Sequence, residues 1–112
     1  MTITTHVLDI ARGGPARGVR VKLERILGDG WELVGGGETD LDGRVHTLLS
    51  PDVALTPNTY RLTFDTHGYA RKNLFECFFP EVQIVFDVKD SSQHYHVPLL
   101  FSPFGYSTYR GT

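Results

Sequence analysis

The sequence predicts an all-β sandwich with one short helix, and three observations point there. Runs of alternating apolar and polar residues recur along the chain, as in Val19-Arg20-Val21-Lys22-Leu23-Glu24. That period of two belongs to half-buried strands. Turn signals rich in Gly, Asp and Pro separate the runs at the roughly 8–12-residue spacing of sandwiches and barrels. Only Thr66 to Phe75 offers a helix.

Each element has its own justification. Ile3 to Ile10 is a β-favouring run stopped by Ala11-Arg12-Gly13-Gly14-Pro15, a loop signal. Val19 to Ile26 alternates as an antiparallel strand, and Gly28-Asp29-Gly30 turns the chain into a third strand opening at Trp31-Glu32-Leu33-Val34. Gly35-Gly36-Gly37 then reads as a flexible connection or a bulge. Asp40-Leu41-Asp42-Gly43 is a turn, with Arg44 to Leu49 as the strand after it and Pro51 to Asn58 as a loop. Tyr60 to Asp65 alternates again. Thr66 is a candidate N-cap for the helix, whose apolar face is weak and which Gly68 shortens. Glu81 to Val88 is a strand with Pro80 at its start, where a missing N–H matters least. His94 to Phe101, the turn Ser102 to Gly105 and the return Tyr106 to Arg110 form a closing hairpin. This gives about seven or eight strands.

At 112 residues the chain reads as a single domain over 1–112. It has no internal repeat, low-complexity tract or linker. A net charge of −2 and the lack of any Lys/Arg run exclude a nucleic-acid footprint and a membrane-surface patch. Cys77 is the sole cysteine, so no intrachain disulfide can form and a reducing compartment is the simplest home. The start, Met1-Thr2-Ile3-Thr4-Thr5-His6, lacks the basic and apolar regions of a signal peptide. No apolar run nears the ~18 residues of a membrane span. The expectation is a soluble, cytoplasmic protein; a peroxisomal or periplasmic location has no visible signal.

The end of the chain is unusual. Termini tend to be polar and frayed, yet His94 to Thr112 stays apolar and aromatic almost to its last residues. Its hairpin brings histidines together with Tyr109-Arg110-Gly111-Thr112 and a terminal carboxylate, a polar and partly cationic assembly suited to a small anionic or carbonyl-rich molecule. His94 and His96 are two apart, so a strand projects both from one face. That spacing also occurs in metal sites, with His6 or His46 as a third nitrogen. Nothing else has metal-ligand spacing, so no metal is expected. Arg44 follows a turn directly and reads either as a solvated surface charge or as a bidentate anchor for oxyanions. His6 alone could be an ordinary strand histidine. No nucleophile elbow, phosphate loop, dinucleotide fingerprint or zinc-protease pattern is present. Composition and spacing stop at a β-sandwich with a His/Arg-rich end.

Three stretches together carry a resemblance. Thr5-His6-Val7-Leu8-Asp9 with Ala11-Arg12-Gly13, then Asp42-Gly43-Arg44, then His96-Val97-Pro98-Leu99-Leu100 with Ser102-Pro103 and Tyr109-Arg110-Gly111-Thr112, resemble the 5-hydroxyisourate hydrolases. These are the transthyretin-related proteins of urate breakdown. The likeness runs from near residue 4 to the last residue, and its two end motifs are specific. It implies a transthyretin-like sandwich of two four-stranded antiparallel sheets, assembled as a homotetramer, a dimer of dimers with active sites in the cleft where the dimers meet. It implies hydrolysis of a ring amide of 5-hydroxyisourate to 2-oxo-4-hydroxy-4-carboxy-5-ureidoimidazoline, without metal or organic cofactor. By the same resemblance His6, Arg44 and His96 are the catalytic positions, and Tyr109, Arg110, Gly111 and Thr112 bind substrate. One departure stands out: the family usually ends Tyr-Arg-Gly-Ser, and this chain ends in Thr112. Threonine keeps the hydroxyl and adds a methyl.

The chemistry of those residue types agrees. Attacking water must lose a proton, the carbonyl oxygen gains negative charge and the leaving ring nitrogen needs a proton. Histidine suits both proton steps near neutral pH, and arginine stabilises oxyanion charge while staying cationic. Which histidine takes which step is open. The rival reading is a small-ligand carrier of the thyroid-hormone type, since transthyretin shares the fold; a polar, cationic lining counts against it. Cys77 and His94 are expected to be structural or incidental.

Overall fold

The computed structural model describes residues 2–112. Its elements run β1 (Ile3–Asp9), β2 (Gly14–Pro15), β3 (Arg20–Leu27), β4 (Gly30–Glu38), β5 (Arg44–Val45), β6 (Asn58–Phe64), α1 (Thr66–Lys72), β7 (Val82–Val88), β8 (Tyr95–Ser102) and β9 (Gly105–Thr108). Two sheets pack face to face. One orders its strands β2-β1-β8-β9 with β5 also on β1, and the other orders them β4-β3-β6-β7.

Alternation sets which face of each strand is buried. Along β1, Ile3, Thr5, Val7 and Asp9 are buried while Thr4, His6 and Leu8 are half-exposed. Leu23, Leu62, Tyr60, Phe64, Val82 and Leu99 meet between the sheets, all fully buried or nearly so. Each such side chain contributes roughly 1.5–3 kcal/mol through removal from water.

The all-β sandwich with one short helix is therefore as expected, with one correction. The expected pair of four-stranded antiparallel sheets is in fact one antiparallel four-stranded sheet and one mixed five-stranded sheet, because β1 and β8 run parallel. Period-two patterning reports which face is buried and is blind to strand direction. Two strands so far apart in sequence are free of the hairpin that would force them antiparallel.

Three element boundaries also differ. The triple glycine is not a flexible connection, since β4 runs straight through it. The bulge alternative lies nearer, because Leu23 pairs with Gly35 and Glu24 with Leu33, which leaves Val34, just before Gly35, as the extra residue. A side chain at Gly35 would collide with the Leu48 carbonyl, so the glycines admit a close backbone neighbour. The strand expected over 44–49 lasts only two residues. Beyond it the chain crosses between sheets: Leu48 N–H donates to the Ile3 carbonyl at 3.1 Å, and Leu49 bridges to Gly35. The N-cap of α1 is Asp65 rather than Thr66; its carboxylate accepts the Gly68 N–H at 2.9 Å. Thr66 is buried and donates its hydroxyl to the Phe79 carbonyl instead.

Candidate active site

The outward face of the mixed sheet collects the polar residues of three segments. Thr4 and His6 stand on β1, and the parallel register sets Thr4 beside His96 and His6 beside Pro98 on β8. On the other side of β1, Arg44 lies directly opposite His6, so their Cβ atoms fall about 5 Å apart on one face.

Local chemistry delivers Arg44 to that place. Asp40 accepts the backbone N–H of Asp42 at 2.9 Å and of Arg44 at 3.0 Å, which closes the turn. These bonds, with Arg44's first among them, hold the Asp40 carboxyl below its usual value. Gly43 completes the turn at φ +75°, and its N–H donates to the Asp40 carbonyl at 2.9 Å. A Cβ there would meet the Val7 carbonyl oxygen at 2.5 Å, so glycine is required both for the left-handed backbone and for the approach to β1. His46, two residues on, pairs with Asp40 at 3.5 Å.

A cavity of about 300 Å³ opens on this face, lined by Thr2, Thr4, Arg44, His46, His94, His96 and Thr112 among others. Hydrogen-bonding side chains are dense for its size, and Arg44 supplies positive charge. The Thr4 hydroxyl contacts both histidines of the His94/His96 pair, at 2.7 Å from His96 Nδ1 and 3.2 Å from His94 Nε2. His6 does not line the cavity; it stands next along β1 from Thr4 and opposite Arg44.

Two histidines are tuned by this setting. Burial and then the Arg44 cation push His96 below the ordinary imidazole value, with His6 and His94 adding to the effect. Burial and Arg44, in the same order, push His6 down too. Both rings are therefore neutral at pH 7 and ready to take a proton.

The terminal tetrapeptide divides. Gly111 N–H donates to the His96 carbonyl at 2.8 Å, which folds the chain end over the site and leaves Thr112 in the cavity wall. Arg110 goes elsewhere: its guanidinium stacks 4.6 Å above the Tyr95 ring and donates to Gln93 Oε1 at 2.9 Å. With Tyr109 it borders a separate cleft of about 240 Å³ beside Ile84, Phe86 and Val97. Of the residues expected from sequence, the structure brings Arg44, His96 and Thr112 into one cavity, sets His6 and Gly111 against it, and keeps Tyr109 and Arg110 outside it.

Sequence reasoning passed over Thr4 and treated His94 as incidental. A Thr two places before His6 was the available signal for the first, since both then share a face. Among the described residues, no group of three His, Cys, Asp or Glu side chains is placed to hold a metal ion. A larger cleft of about 480 Å³ lies on the outer face of the other sheet, among Arg20, Lys22, Glu38, Asp65 and Glu81. It holds no histidine and its charges are mixed, so the histidine cavity is the better seat for proton chemistry.

Comparison with known proteins places this geometry in context. The profile of the HIUase/transthyretin family matches residues 3–111. A probable 5-hydroxyisourate hydrolase of Caenorhabditis elegans is 46% identical over 111 residues, covering 99% of this chain and 81% of that one. The structure of 5-hydroxyisourate hydrolase from Klebsiella pneumoniae is similar with a TM-score of 0.86 at 37% identity, over 100% of both chains. Sea bream transthyretin in complex with thyroxine is similar with a TM-score of 0.91 at 31% identity, over 100% of this chain and 96% of that one.

Proposed function

The chain belongs to the HIUase/transthyretin family, and from that premise we propose that it is a 5-hydroxyisourate hydrolase acting in urate degradation. The observation that carries this reading is the composition of one cavity: Arg44, His46, His94, His96 and Thr112 line it together. The shared fold is equally compatible with a hormone carrier, as the transthyretin likeness makes plain. A carrier for an apolar hormone gains from an apolar wall, whereas this wall offers hydrogen bonds and positive charge.

The chemistry follows from the residues. The reaction adds water across a ring amide. His6 and His96, both neutral at working pH, supply the proton acceptor for the attacking water and, once protonated, the donor for the leaving nitrogen. Arg44 holds the oxygens of the substrate and stabilises charge that develops on the carbonyl. Thr112 lies in the wall, where its hydroxyl orients substrate or histidine. Tyr109 and Arg110 border the neighbouring cleft; their part is to anchor the terminal segment that carries Gly111 and Thr112.

The same reading carries a homotetramer, a dimer of dimers with the sites where the dimers meet. Its support is the half-buried state of His6, Arg44 and His96 on an open sheet face, where a second copy would close the cavity and exclude water. A cytoplasmic location belongs to it as well, on the ground that Cys77 is a free thiol.

The test is the ultraviolet absorbance decay of 5-hydroxyisourate made in place from urate by urate oxidase. The protein should accelerate the decay, and His96→Ala should abolish the acceleration. A folded protein that leaves the decay unchanged would overturn the hydrolase reading in favour of the carrier.

A further inference from the structure

On the reading that this cavity hydrolyses its substrate, we propose that Thr4 and His94 are positioning residues that set the tautomer of His96 and carry a proton away from it. The geometry is a three-group chain in which one hydroxyl, Thr4 Oγ1, reaches His96 Nδ1 at 2.7 Å and His94 Nε2 at 3.2 Å.

A hydroxyl has one hydrogen to give. When both bonds are made, Thr4 donates to one ring and accepts from the other, so the two tautomers are tied. If Thr4 donates to His94 Nε2, then His96 carries its proton on Nδ1 and presents a bare Nε2, the form of a base. If Thr4 donates to His96 Nδ1, then His96 carries its proton on Nε2, the form of a donor, and His94 Nε2 is protonated. Reversing the chain converts His96 from one role to the other without moving its ring.

The proton balance closes over a turnover. Water loses a proton to His96 Nε2 as its oxygen bonds to the substrate carbonyl carbon. The Nδ1 proton of His96 passes to Thr4 Oγ1, whose own proton passes to His94 Nε2. His96 is then neutral with a proton on Nε2, and His94 is the cation. As the C–N bond breaks, His96 Nε2 gives its proton to the ring nitrogen. In the same step the proton on His94 returns through Thr4 to His96 Nδ1, so His96 never loses both protons and the starting tautomer is restored. No electrons are gained or lost.

The surroundings favour this direction. Arg44 from the segment after the turn, His6 from β1 and His94 from just ahead of β8 act on His96, and His46 and Thr112 share its cavity. Positive charge on His96 meets Arg44 at close quarters, whereas His94 is exposed, so water solvates the charge there.

Thr4→Val removes the hydroxyl at nearly constant shape, Thr4→Ser restores it, and His94→Gln keeps a hydrogen-bonding group that cannot take a proton. Thr4→Val and His94→Gln should each lower kcat by roughly 10–100-fold, within the range of one proton-transfer contribution, with KM little changed; Thr4→Ser should stay near wild type. Nitrogen-15 spectra of the imidazoles, which need no substrate, should show a single His96 tautomer in the wild type and a mixture in Thr4→Val. Wild-type kcat in either Thr4→Val or His94→Gln, or unchanged His96 nitrogen shifts in Thr4→Val, would overturn the proposal. If the wild-type protein fails to accelerate substrate decay, the hydrolase reading falls on its own, and the nitrogen spectra alone decide the tautomer assignment.

Discussion

The backbone of Gly111 packs closely against the Cδ2 side of the His96 ring. A Cβ on Gly111 would stand 2.5 Å from His96 Cδ2 and 3.3 Å from Cγ, while the Gly111 N–H donates to the His96 carbonyl at 2.8 Å. This segment thus serves as a wall that confines the imidazole on that side.

Gly111→Ala should therefore act on catalysis before stability. The ring or the terminal segment must shift by a substantial fraction of an ångström, and misplacements of about 1 Å can cost on the order of 100-fold in rate. We expect kcat to fall by roughly that factor while the melting temperature changes little, since Gly111 lies outside the core. Steady-state kinetics with a thermal scan of both proteins checks it.

The depressed His6 and His96 fix the direction of a pH effect. Both groups titrate below ~6.5 in the folded protein, through burial first and Arg44 second. As pH falls below that value the unfolded chain takes up protons that the folded state refuses, so stability rises with pH through this window and levels off above it. The acid limb of kcat/KM should likewise bend below ~6.5, since the free enzyme's base sets it. Arg44→Gln should move the His96 titration up, but not fully to the unperturbed value, because burial remains. An NMR titration of His96 in wild type and variant reads this without relying on activity.

Arg44→Lys isolates geometry from charge. Lysine keeps the cation and loses the planar fork that matches paired oxygens. A fall in kcat/KM of about 100-fold, the cost of one lost oxyanion donor, is expected with His96 still titrating below ~6.5. Retained activity would mean that Arg44 acts only through its charge.

Tyr69→Phe probes a buried carboxylate away from the site. Asp9 is 2% exposed; its Oδ2 accepts from the Tyr69 hydroxyl at 2.7 Å and its Oδ1 from the Arg12 N–H at 3.1 Å. Removing the hydroxyl leaves part of that charge without a partner, at a cost of about 1–3 kcal/mol. Urea denaturation should show a lower midpoint with an unchanged slope, and turnover should stay close to wild type.

Gly35→Ala tests why β4 contains glycines. The new methyl would overlap the Leu48 carbonyl, so either β4 or the crossing segment must move, at a cost on the order of 1–3 kcal/mol or more. Far-UV circular dichroism through a thermal ramp should show a clear drop in midpoint.

What the sequence determined by itself is local and periodic. Alternation in Val19 to Glu24 and in Tyr60 to Phe64 assigned strands and their buried faces, and Asp40 to Gly43 announced the turn that presents Arg44. The end motifs named the family and pointed to His6, Arg44 and His96, residues that the fold gathers on one sheet face. Tertiary structure alone decided the rest. Strand direction was invisible to a period of two, so the parallel pairing of β1 with β8 could not be read, and without that register Thr4 has no visible link to His96. The role of Gly35 was hidden because its neighbour, the Leu48 carbonyl, comes from a distant segment. Arg110 and Gly111 are adjacent in sequence yet serve different clefts, because the bridge from Gly111 to His96 turns one toward the site and the stacking on Tyr95 draws the other away. Short-range patterns follow from the geometry of one strand; which groups meet in a cavity follows from how separate strands are brought together.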